Sequence, residues 1–201
     1  MKSKMIDFFS IILTVFLFLP FVYLTSADPK NHFSLILLIL LSVPTIMAMV
    51  HGAPFVPTPM TRVRHMVKLA NLKKGDRVYD IGCGDGRMVY IAANEYGAKA
   101  TGFELSPMVY ALARFRKLFW RSKAQIKFAN FKTQSVKDAD VIFCYLLPEC
   151  FAKIEDKLIA ELKTGARIVS YAFEIPYLKL VQKEEKDPTN NFAPIWIYEK
   201  P

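Results

Sequence analysis

Two long hydrophobic runs occupy the first quarter of the chain. Residues 8–24 and 33–50 contain no charged side chain, and each run is close to the roughly 17–25 residues that a membrane-spanning helix needs. The segment between them, TSADPKN, is rich in turn-forming residues. The pattern predicts a transmembrane helical hairpin over residues 1–53. A pair of buried core helices is the alternative, although runs of this length without a polar face are typical of membrane spans.

The lysine and arginine positions predict the orientation of this hairpin. Lys2 and Lys4 precede the first run and six cations follow the second within residues 62–77, whereas the linker has only Lys30. Because such cations favour the cytoplasmic side, we expect a multi-pass membrane protein whose two ends and globular part are cytoplasmic. A cleaved signal peptide, with Ala27 near its cleavage site, is the alternative for the first run.

A proline-rich segment separates the hydrophobic runs from the remainder of the chain. Residues 54–60 contain three prolines, which excludes both a helix interior and a central strand. We expect a stiff, extended linker followed by a globular domain over residues 61–201. Thr58 or Thr61 is suited to cap the first helix of that domain, because an apolar stripe at spacings of three and four begins there.

Beyond the linker, short apolar strands alternate with helical segments. The predicted strands are residues 77–81, 100–104, 125–131, 141–145 and 167–172, and the predicted helices between them are residues 87–96, 107–121 and 150–162. Strands separated by helices predict a parallel sheet with right-handed crossovers. Two further strand-like segments, 178–183 and 195–198, are joined by a loop alone and predict an antiparallel hairpin.

Composition narrows the possible chemistry. The formal net charge is +9, of which only +1 comes from the residues before Pro54, so the globular part is basic. Neither the cysteines (Cys83, Cys144 and Cys150) nor the three histidines have the spacing of metal ligands, so we expect no bound metal. We expect the cysteines to be reduced thiols. Two cation-rich stretches, residues 62–77 and 114–127, favour the anionic headgroups of a lipid bilayer over nucleic acid, with an ordinary solvated surface as the alternative.

The stretch VYDIGCGDGRMVY at residues 78–90 carries the most specific chemical signal. Asp80 lies at the end of a predicted strand, and Gly82, Gly84 and Gly86 follow at alternate positions before a helix. Glycine at such a turn lets the backbone approach a ligand and lets N–H groups face it. The spacing is D-x-G-x-G-x-G, which differs from the G-x-G-x-x-G of dinucleotide-binding turns.

This motif, together with Glu104 at the end of the second strand, resembles the class I, seven-stranded S-adenosylmethionine-dependent methyltransferases. The resemblance implies a Rossmann-like, doubly wound α/β fold with a mostly parallel seven-stranded sheet and an antiparallel terminal hairpin. It also implies S-adenosylmethionine as cofactor, with the first-strand acid and the glycine turn holding the methionine part and the second-strand acid holding both ribose hydroxyls. The cofactor-binding residues implied are Asp80, Gly82, Cys83, Gly84, Asp85, Gly86, Glu104, Leu105, Asn130 and Phe131.

The ends of the third and fourth strands carry the remaining candidates. In the family the third strand often ends in an acid that binds the adenine amino group. Here the position is Asn130, whose side-chain carbonyl can accept the same hydrogen bond, and Phe131 can pack beside the ring. The alternative is that Asn130 only opens a turn. Tyr145 and Glu149 are candidates for the methyl-acceptor pocket, the alternatives being a core aromatic and an acid at a helix start.

Short segments taken in order resemble the membrane-anchored lysine methyltransferases that act on the c subunit of ATP synthase and the adenine nucleotide translocase. These segments are PFVPTP, YDIGCGDGRMV, GFELSPMVYALAR, YLLPE and KTGARIVS. The resemblance implies a lysine of a small membrane protein as acceptor, although the chain departs from the family in having two hydrophobic runs. A lipid-like acceptor, such as an amino-phospholipid or a quinone precursor, and a non-catalytic cofactor-binding module are the alternatives.

Overall fold

The computed structural model describes residues 55–189 and 192–201, together with Ile36, Ile39 and Leu40. The chain divides into two compact units, Met1–Met47 and Ala48–Pro201. Among the described residues, no helix combines the length and the apolar character needed to span a bilayer. The two predicted membrane helices lie outside the described residues apart from Ile36, Ile39 and Leu40, which are helical, so the transmembrane hairpin stays a prediction.

Seven strands and five helices make up the described part of the second unit. The strands are β1 (Arg77–Ile81), β2 (Lys99–Glu104), β3 (Gln125–Phe128), β4 (Val141–Cys144), β5 (Arg167–Tyr171), β6 (Lys179–Glu184) and β7 (Ile195–Glu199). The helices are α1 (Met60–Leu69), α2 (Arg87–Tyr96), α3 (Pro107–Trp120), α4 (Pro148–Ala152) and α5 (Glu155–Glu161). Prolines begin α3 and α4, and Gly97 ends α2 in the left-handed conformation, as is typical of helix starts and ends.

The seven strands form one mixed sheet in the order β3–β2–β1–β4–β5–β7–β6. Strands β1 to β5 are parallel, whereas β7 runs antiparallel between β5 and β6. The predicted parallel core and the predicted antiparallel hairpin are both confirmed. The strand order reverses between β1 and β4, and sheets of this kind bind ligands in the crevice that such a reversal opens at the carboxyl ends of the strands.

Apolar side chains cover both faces of this sheet. β4 is buried at every position, which explains why its sequence, VIFC, is a continuous hydrophobic run rather than an alternating one. On one side the core includes Val63 of α1 and Val89 of α2, and on the other side it includes Phe151 of α4 and Leu158 of α5. The helices on the two faces hold the sheet rigid and leave its carboxyl edge to the turns.

Apart from shifts of one residue at the ends of elements, three local predictions differ from the structure. The predicted helix over residues 150–162 is two helices, because Ile154 has φ and ψ angles of −127° and 1°, outside the helical range, between α4 and α5. The predicted third strand ends at Phe128 rather than at residue 131, where a 3₁₀ turn, Phe131–Thr133, has already begun. Neither threonine caps α1, since its N-cap is Pro59 without a side-chain hydrogen bond.

Candidate active site

The turn between β1 and α2 lies against the end of β2. The N–H groups of Gly82 and Cys83 donate to the Phe103 carbonyl at 3.0 and 2.9 Å, and the N–H of Gly84 donates to Glu104 Oε2 at 3.0 Å. These hydrogen bonds extend the β1–β2 pairing beyond the ends of the strands and fix the turn. The structure therefore brings the predicted residues of the first two strands together at the carboxyl edge of the sheet.

Gly84 and Gly86 are required by both conformation and space. Their φ angles are +56° and +82°, a region that favours glycine. A Cβ atom on Gly84 would lie 2.7 Å from the ring of Phe55, and one on Gly86 would lie 2.5 Å from the ring of Tyr90. The ring of Phe55, from the proline segment, thus covers the glycine turn. The sequence carried no signal for this contact.

Backbone donors hold the carboxylate of Glu104. Its Oε1 accepts from the N–H groups of Leu105 at 2.9 Å and Ser106 at 2.8 Å, while Oε2 accepts from Gly84. Burial raises the pKa of this carboxyl, and the three backbone hydrogen bonds oppose the rise. A carboxylate has about four lone-pair sites, so three backbone donors leave acceptor capacity for a ligand hydroxyl.

Asp80 has a buried carboxyl group with an open hydrogen-bonding position. The residue is 7% exposed, and within the described part of the chain no group donates a hydrogen bond to its side chain. Burial, together with the nearby Glu104 and Asp85, raises its pKa to about 8. Because a buried carboxylate without a partner is costly, such a group is typical of a ligand site. A cationic group of a ligand would supply the missing partner.

Asp85, in the same turn, makes contacts that hold the structure together. Its side chain is 2% exposed and forms ion pairs with Arg87 and Arg116. Arg87 also donates to the carbonyl of Thr58. One buried carboxylate therefore connects the glycine turn, the proline segment and α3. The arginines occupy its oxygens, and the predicted contact of Asp85 with the cofactor stays a prediction.

Cys83 and Leu105 complete the group of residues around β1 and β2. Cys83 is buried, and burial raises the pKa of its thiol well above the usual range. A Cβ atom on Gly102 would lie 2.6 Å from Cys83 Sγ, so the thiol packs tightly against β2. Leu105, in contrast, is 37% exposed directly after Glu104. The cysteine fills the inside of the turn, and the leucine leaves an apolar surface beside it.

Asn130 has the turn-opening contact that the sequence left as an alternative. Its Oδ1 accepts from the N–H of Lys132 at 3.1 Å and opens the 3₁₀ turn that begins at Phe131. A side-chain carbonyl oxygen has two lone pairs, so one remains for a ligand. The predicted contacts of Asn130 and Phe131 with an adenine ring stay predictions.

Aromatic rings surround the end of β4. The ring of Tyr145 lies 5.0 Å from that of Tyr171 at an interplanar angle of 72°, and 6.1 Å from that of Phe173 at 28°. Burial and the nearby Tyr171 raise the pKa of Tyr145, so its hydroxyl remains protonated at neutral pH. Sequence reasoning missed Tyr171 and Phe173, because only the β4–β5 pairing brings them to Tyr145.

Glu149 follows β4 along the chain, near the start of α4. It is exposed and occupies the first turn of α4, where an acid favours the helix dipole. This location agrees with the alternative that the sequence left open. A contact of Glu149 with the methyl acceptor stays a prediction.

The residues around the glycine turn fit S-adenosylmethionine. Asp80 offers an unpartnered carboxyl for the amino group, Glu104 retains an acceptor site for a ribose hydroxyl, and the glycines leave the backbone bare. Among the residues that the structure describes, no cluster of three or more His, Cys, Asp or Glu side chains could hold a metal ion.

The sheet order and this site define a class I S-adenosylmethionine-dependent methyltransferase. The fold is similar to that of an RNA methyltransferase from Salinibacter ruber, solved in complex with S-adenosyl-L-homocysteine. The TM-score is 0.67 and the identity 28%, over 73% of this chain and 94% of that chain.

Residues 80–182 match the ANTKMT methyltransferase domain, and the chain belongs to this family. A protein-lysine N-methyltransferase of Saccharolobus islandicus is 39% identical over 132 residues, 64% of this chain and 82% of the relative. A lysine N-methyltransferase of Rattus norvegicus, named for the c subunit of ATP synthase, is 33% identical over 62% of this chain and 57% of its own length. An adenine nucleotide translocase lysine N-methyltransferase of Mus musculus is 34% identical, with 61% and 54% covered. The chain thus spans just over half of these two mammalian relatives.

Proposed function

We propose that this methyltransferase is a protein-lysine N-methyltransferase that acts on a small membrane protein. The observation that carries the proposal is the 39% identity to a relative named as a protein-lysine N-methyltransferase, over 82% of the length of that relative. The mammalian relatives named for the c subunit of ATP synthase and the adenine nucleotide translocase support a membrane protein as the acceptor.

The described residues have clear tasks in such a reaction. When bound, S-adenosylmethionine supplies a methyl group on a positively charged sulfur. Asp80 receives the amino group of the cofactor, because its buried carboxyl has no other partner. Glu104 orients the ribose, because backbone donors fix its carboxylate in one position. Holding the reactants in line in this way supplies much of the rate enhancement of a transfer reaction.

The lysine that accepts the methyl group must react as a neutral amine. A free lysine has a pKa of about 10.4, and an apolar environment lowers it by disfavouring the charged form. The rings of Tyr145, Tyr171 and Phe173 form such an environment at the end of β4. Because burial raises the pKa of Tyr145, its hydroxyl serves as a hydrogen-bonding group and is a poor base at neutral pH.

The attachment to the membrane belongs to the same proposal. The uncharged runs at residues 8–24 and 33–50 are each long enough to span a bilayer. The cations on both flanks of this pair favour a cytoplasmic location of the catalytic unit. An anchor of this kind would keep the active site close to acceptors that reside in the membrane.

Isotope transfer tests the acceptor. Native membranes are incubated with the protein and methyl-labelled S-adenosylmethionine, extracted with organic solvent, and the protein fraction is hydrolysed to amino acids. We expect label in methyl-lysine, and much less with the Asp80→Asn variant as control. Label confined to the solvent extract would contradict the lysine proposal and favour a lipid-like acceptor, such as an amino-phospholipid or a quinone precursor.

Cysteine accessibility tests the topology. Cys83, Cys144 and Cys150 are buried, so single cysteines introduced at Ser26 and at Thr164 can be labelled selectively. In intact cells a membrane-impermeant maleimide should label position 26 and leave position 164 unlabelled. The opposite pattern would reverse the proposed orientation.

A further inference from the structure

Helix α3 presents an apolar stripe to the exterior. Of its fourteen residues only Ala113 is buried, while Phe115, Leu118 and Phe119 are 60%, 72% and 70% exposed and Leu112 is 40% exposed. The rings of Phe115 and Phe119 touch each other, with centroids 4.8 Å apart. Single exposed apolar residues are ordinary, but several large ones side by side mark an interaction surface.

The stripe has the geometry of an interfacial helix. At 3.6 residues per turn, the exposed positions Ala111, Leu112, Phe115, Leu118 and Phe119 fall within an arc of about 120°. Arg114 lies along one border of this arc and Arg116 lies along the other, and Arg121 directly follows the last residue of the helix. Residues 107–124 contain no acidic residue. An apolar arc bordered by cations is typical of helices that lie in the plane of a membrane surface.

The charges beside the stripe are available to a partner. Arg116 is paired with Asp85, but within the described residues Arg114, Lys117 and Arg121 form no ion pair. Arg121 has a left-handed φ of +44° and is exposed just beyond the end of α3. Long basic side chains can reach past an apolar contact to anionic headgroups. The surface thus complements an anionic bilayer in both its apolar and its charged parts.

We propose that the exposed face of α3, defined by Leu112, Phe115, Leu118 and Phe119 with Arg114 and Arg121, docks on an anionic lipid bilayer. This docking rests on the membrane attachment in the proposed function, but not on the identity of the methyl acceptor. α3 begins three residues after Glu104, and its N-cap Ser106 donates its N–H to that carboxylate. A helix lying on the bilayer therefore holds the cofactor site close to the headgroups.

An environment-sensitive fluorophore tests the docking in the full chain. Phe119→Cys and, as matched control, Thr164→Cys are labelled with NBD; both sites are exposed and the native cysteines are buried. Each protein is reconstituted into vesicles of phosphatidylcholine, with or without phosphatidylglycerol. We expect a blue shift and quenching by brominated lipid chains at position 119 but not at 164, with a larger shift when phosphatidylglycerol is present. Arg114→Glu with Arg121→Glu should remove that increase, and Lys186→Glu should not.

Three outcomes would overturn the docking. The emission of the label at position 119 could indicate surroundings as aqueous as those of the label at position 164. It could shift without quenching by brominated lipid, which would mean that another segment of this chain covers the face. It could shift only at high protein density, which would mean a second copy. Alkaline carbonate extraction separates these outcomes from a failed anchor, because a chain that leaves the vesicles contradicts the proposed membrane attachment itself.

Discussion

The turn after β1 and the rings after β4 lie at the same edge of the sheet, but they are held by different forces. At the turn, backbone N–H groups fix the Glu104 carboxylate within 3.0 Å, and glycines leave no room for side chains. At the end of β4, Tyr145 is positioned by ring contacts at 5.0 and 6.1 Å. Directional hydrogen bonds hold the Glu104 carboxylate in one orientation, whereas Tyr145 is held by packing between rings. We therefore expect changes on the cofactor side to be severe and changes on the acceptor side to be graded.

Glu104→Ala should have the largest effect. We expect a loss of S-adenosylmethionine affinity of about 100-fold or more, since each hydrogen bond to a charged group contributes roughly 1.5–3 kcal/mol. Isothermal titration calorimetry measures the affinity. Glu185→Ala, at an exposed position, is the matched control and should bind as the unaltered chain does. An affinity within about threefold of the unaltered chain would contradict the ribose assignment of Glu104.

Asp80→Asn should weaken cofactor binding while stabilising the protein without cofactor. The pKa of Asp80 is about 8 in the fold against a usual 3.8, so between these values the folded chain holds a proton that the unfolded chain has released. Stability is then lost as the pH rises from about 4 to about 8. The asparagine variant should lack this loss and gain on the order of a few kcal/mol at pH 8. Thermal unfolding at several pH values measures the difference, and parallel pH profiles would contradict it.

The same carboxyl predicts pH-dependent cofactor binding. Below its pKa of about 8 Asp80 must release its proton before it can pair with a cationic amino group. The affinity of the unaltered chain should therefore fall by up to about tenfold for each unit of pH below 8. Calorimetry in buffers of different ionisation enthalpy should also detect the released proton. The Asp80→Asn variant should show neither effect.

Gly84→Ala should lower the stability of the fold by an intermediate amount, part of which depends on Phe55. The new Cβ atom would meet the Phe55 ring at 2.7 Å, whereas Gly165, which also has a positive φ, has open space around it. Both alanine variants carry a conformational cost of roughly 1–2 kcal/mol, and only Gly84→Ala carries the clash in addition. Chemical denaturation measures the difference. Combining Gly84→Ala with Phe55→Ala should recover the clash part, and strict additivity of the two changes would contradict the contact.

Substitutions of Tyr145 should have smaller effects, and these should fall on turnover and not on cofactor affinity. Tyr145→Phe keeps the ring contacts and removes the hydroxyl, and Tyr145→Ala removes both. We expect turnover to fall by about tenfold for alanine and less for phenylalanine, on the scale of a lost ring contact of roughly 0.5–1.5 kcal/mol. Cofactor affinity should stay unchanged in both. A Tyr145→Ala variant with full turnover would remove Tyr145 from the acceptor pocket.

The sequence was most informative where one local motif decides the structure. β1 and α2 have the bounds that the sequence predicts, because the glycine turn between them and Gly97 after them are unambiguous local signals. The break between α4 and α5 has no such signal: Lys153 and Ile154 are ordinary helix residues, and the structure packs Ile154 into the core with non-helical backbone angles. Local propensity yields to tertiary contacts at such places.

The candidate site shows the same limit. Asp80 and Glu104 were identified from the glycine motif, the ends of the two strands and the family resemblance that these carry. The ion pair of Asp85 with Arg116 joins residues on two different elements, and the cover of Gly84 by Phe55 joins the turn to a segment outside the sheet. Such contacts arise from the arrangement of the elements in space, so no local sequence pattern predicts them.

The position of β7 has a consequence for biosynthesis. β6 reaches the sheet only through β7, although β6 comes first along the chain. A ribosome therefore delivers β6 before the strand that it pairs with, and β6 has to wait as an unpaired segment while the parallel strands can already assemble. Trp196 lies in β7, with the amine of Lys183 from β6 4.5 Å from the centre of its ring. In a Trp120→Phe variant, which leaves Trp196 as the one tryptophan, fluorescence would therefore report when β6 and β7 complete the sheet.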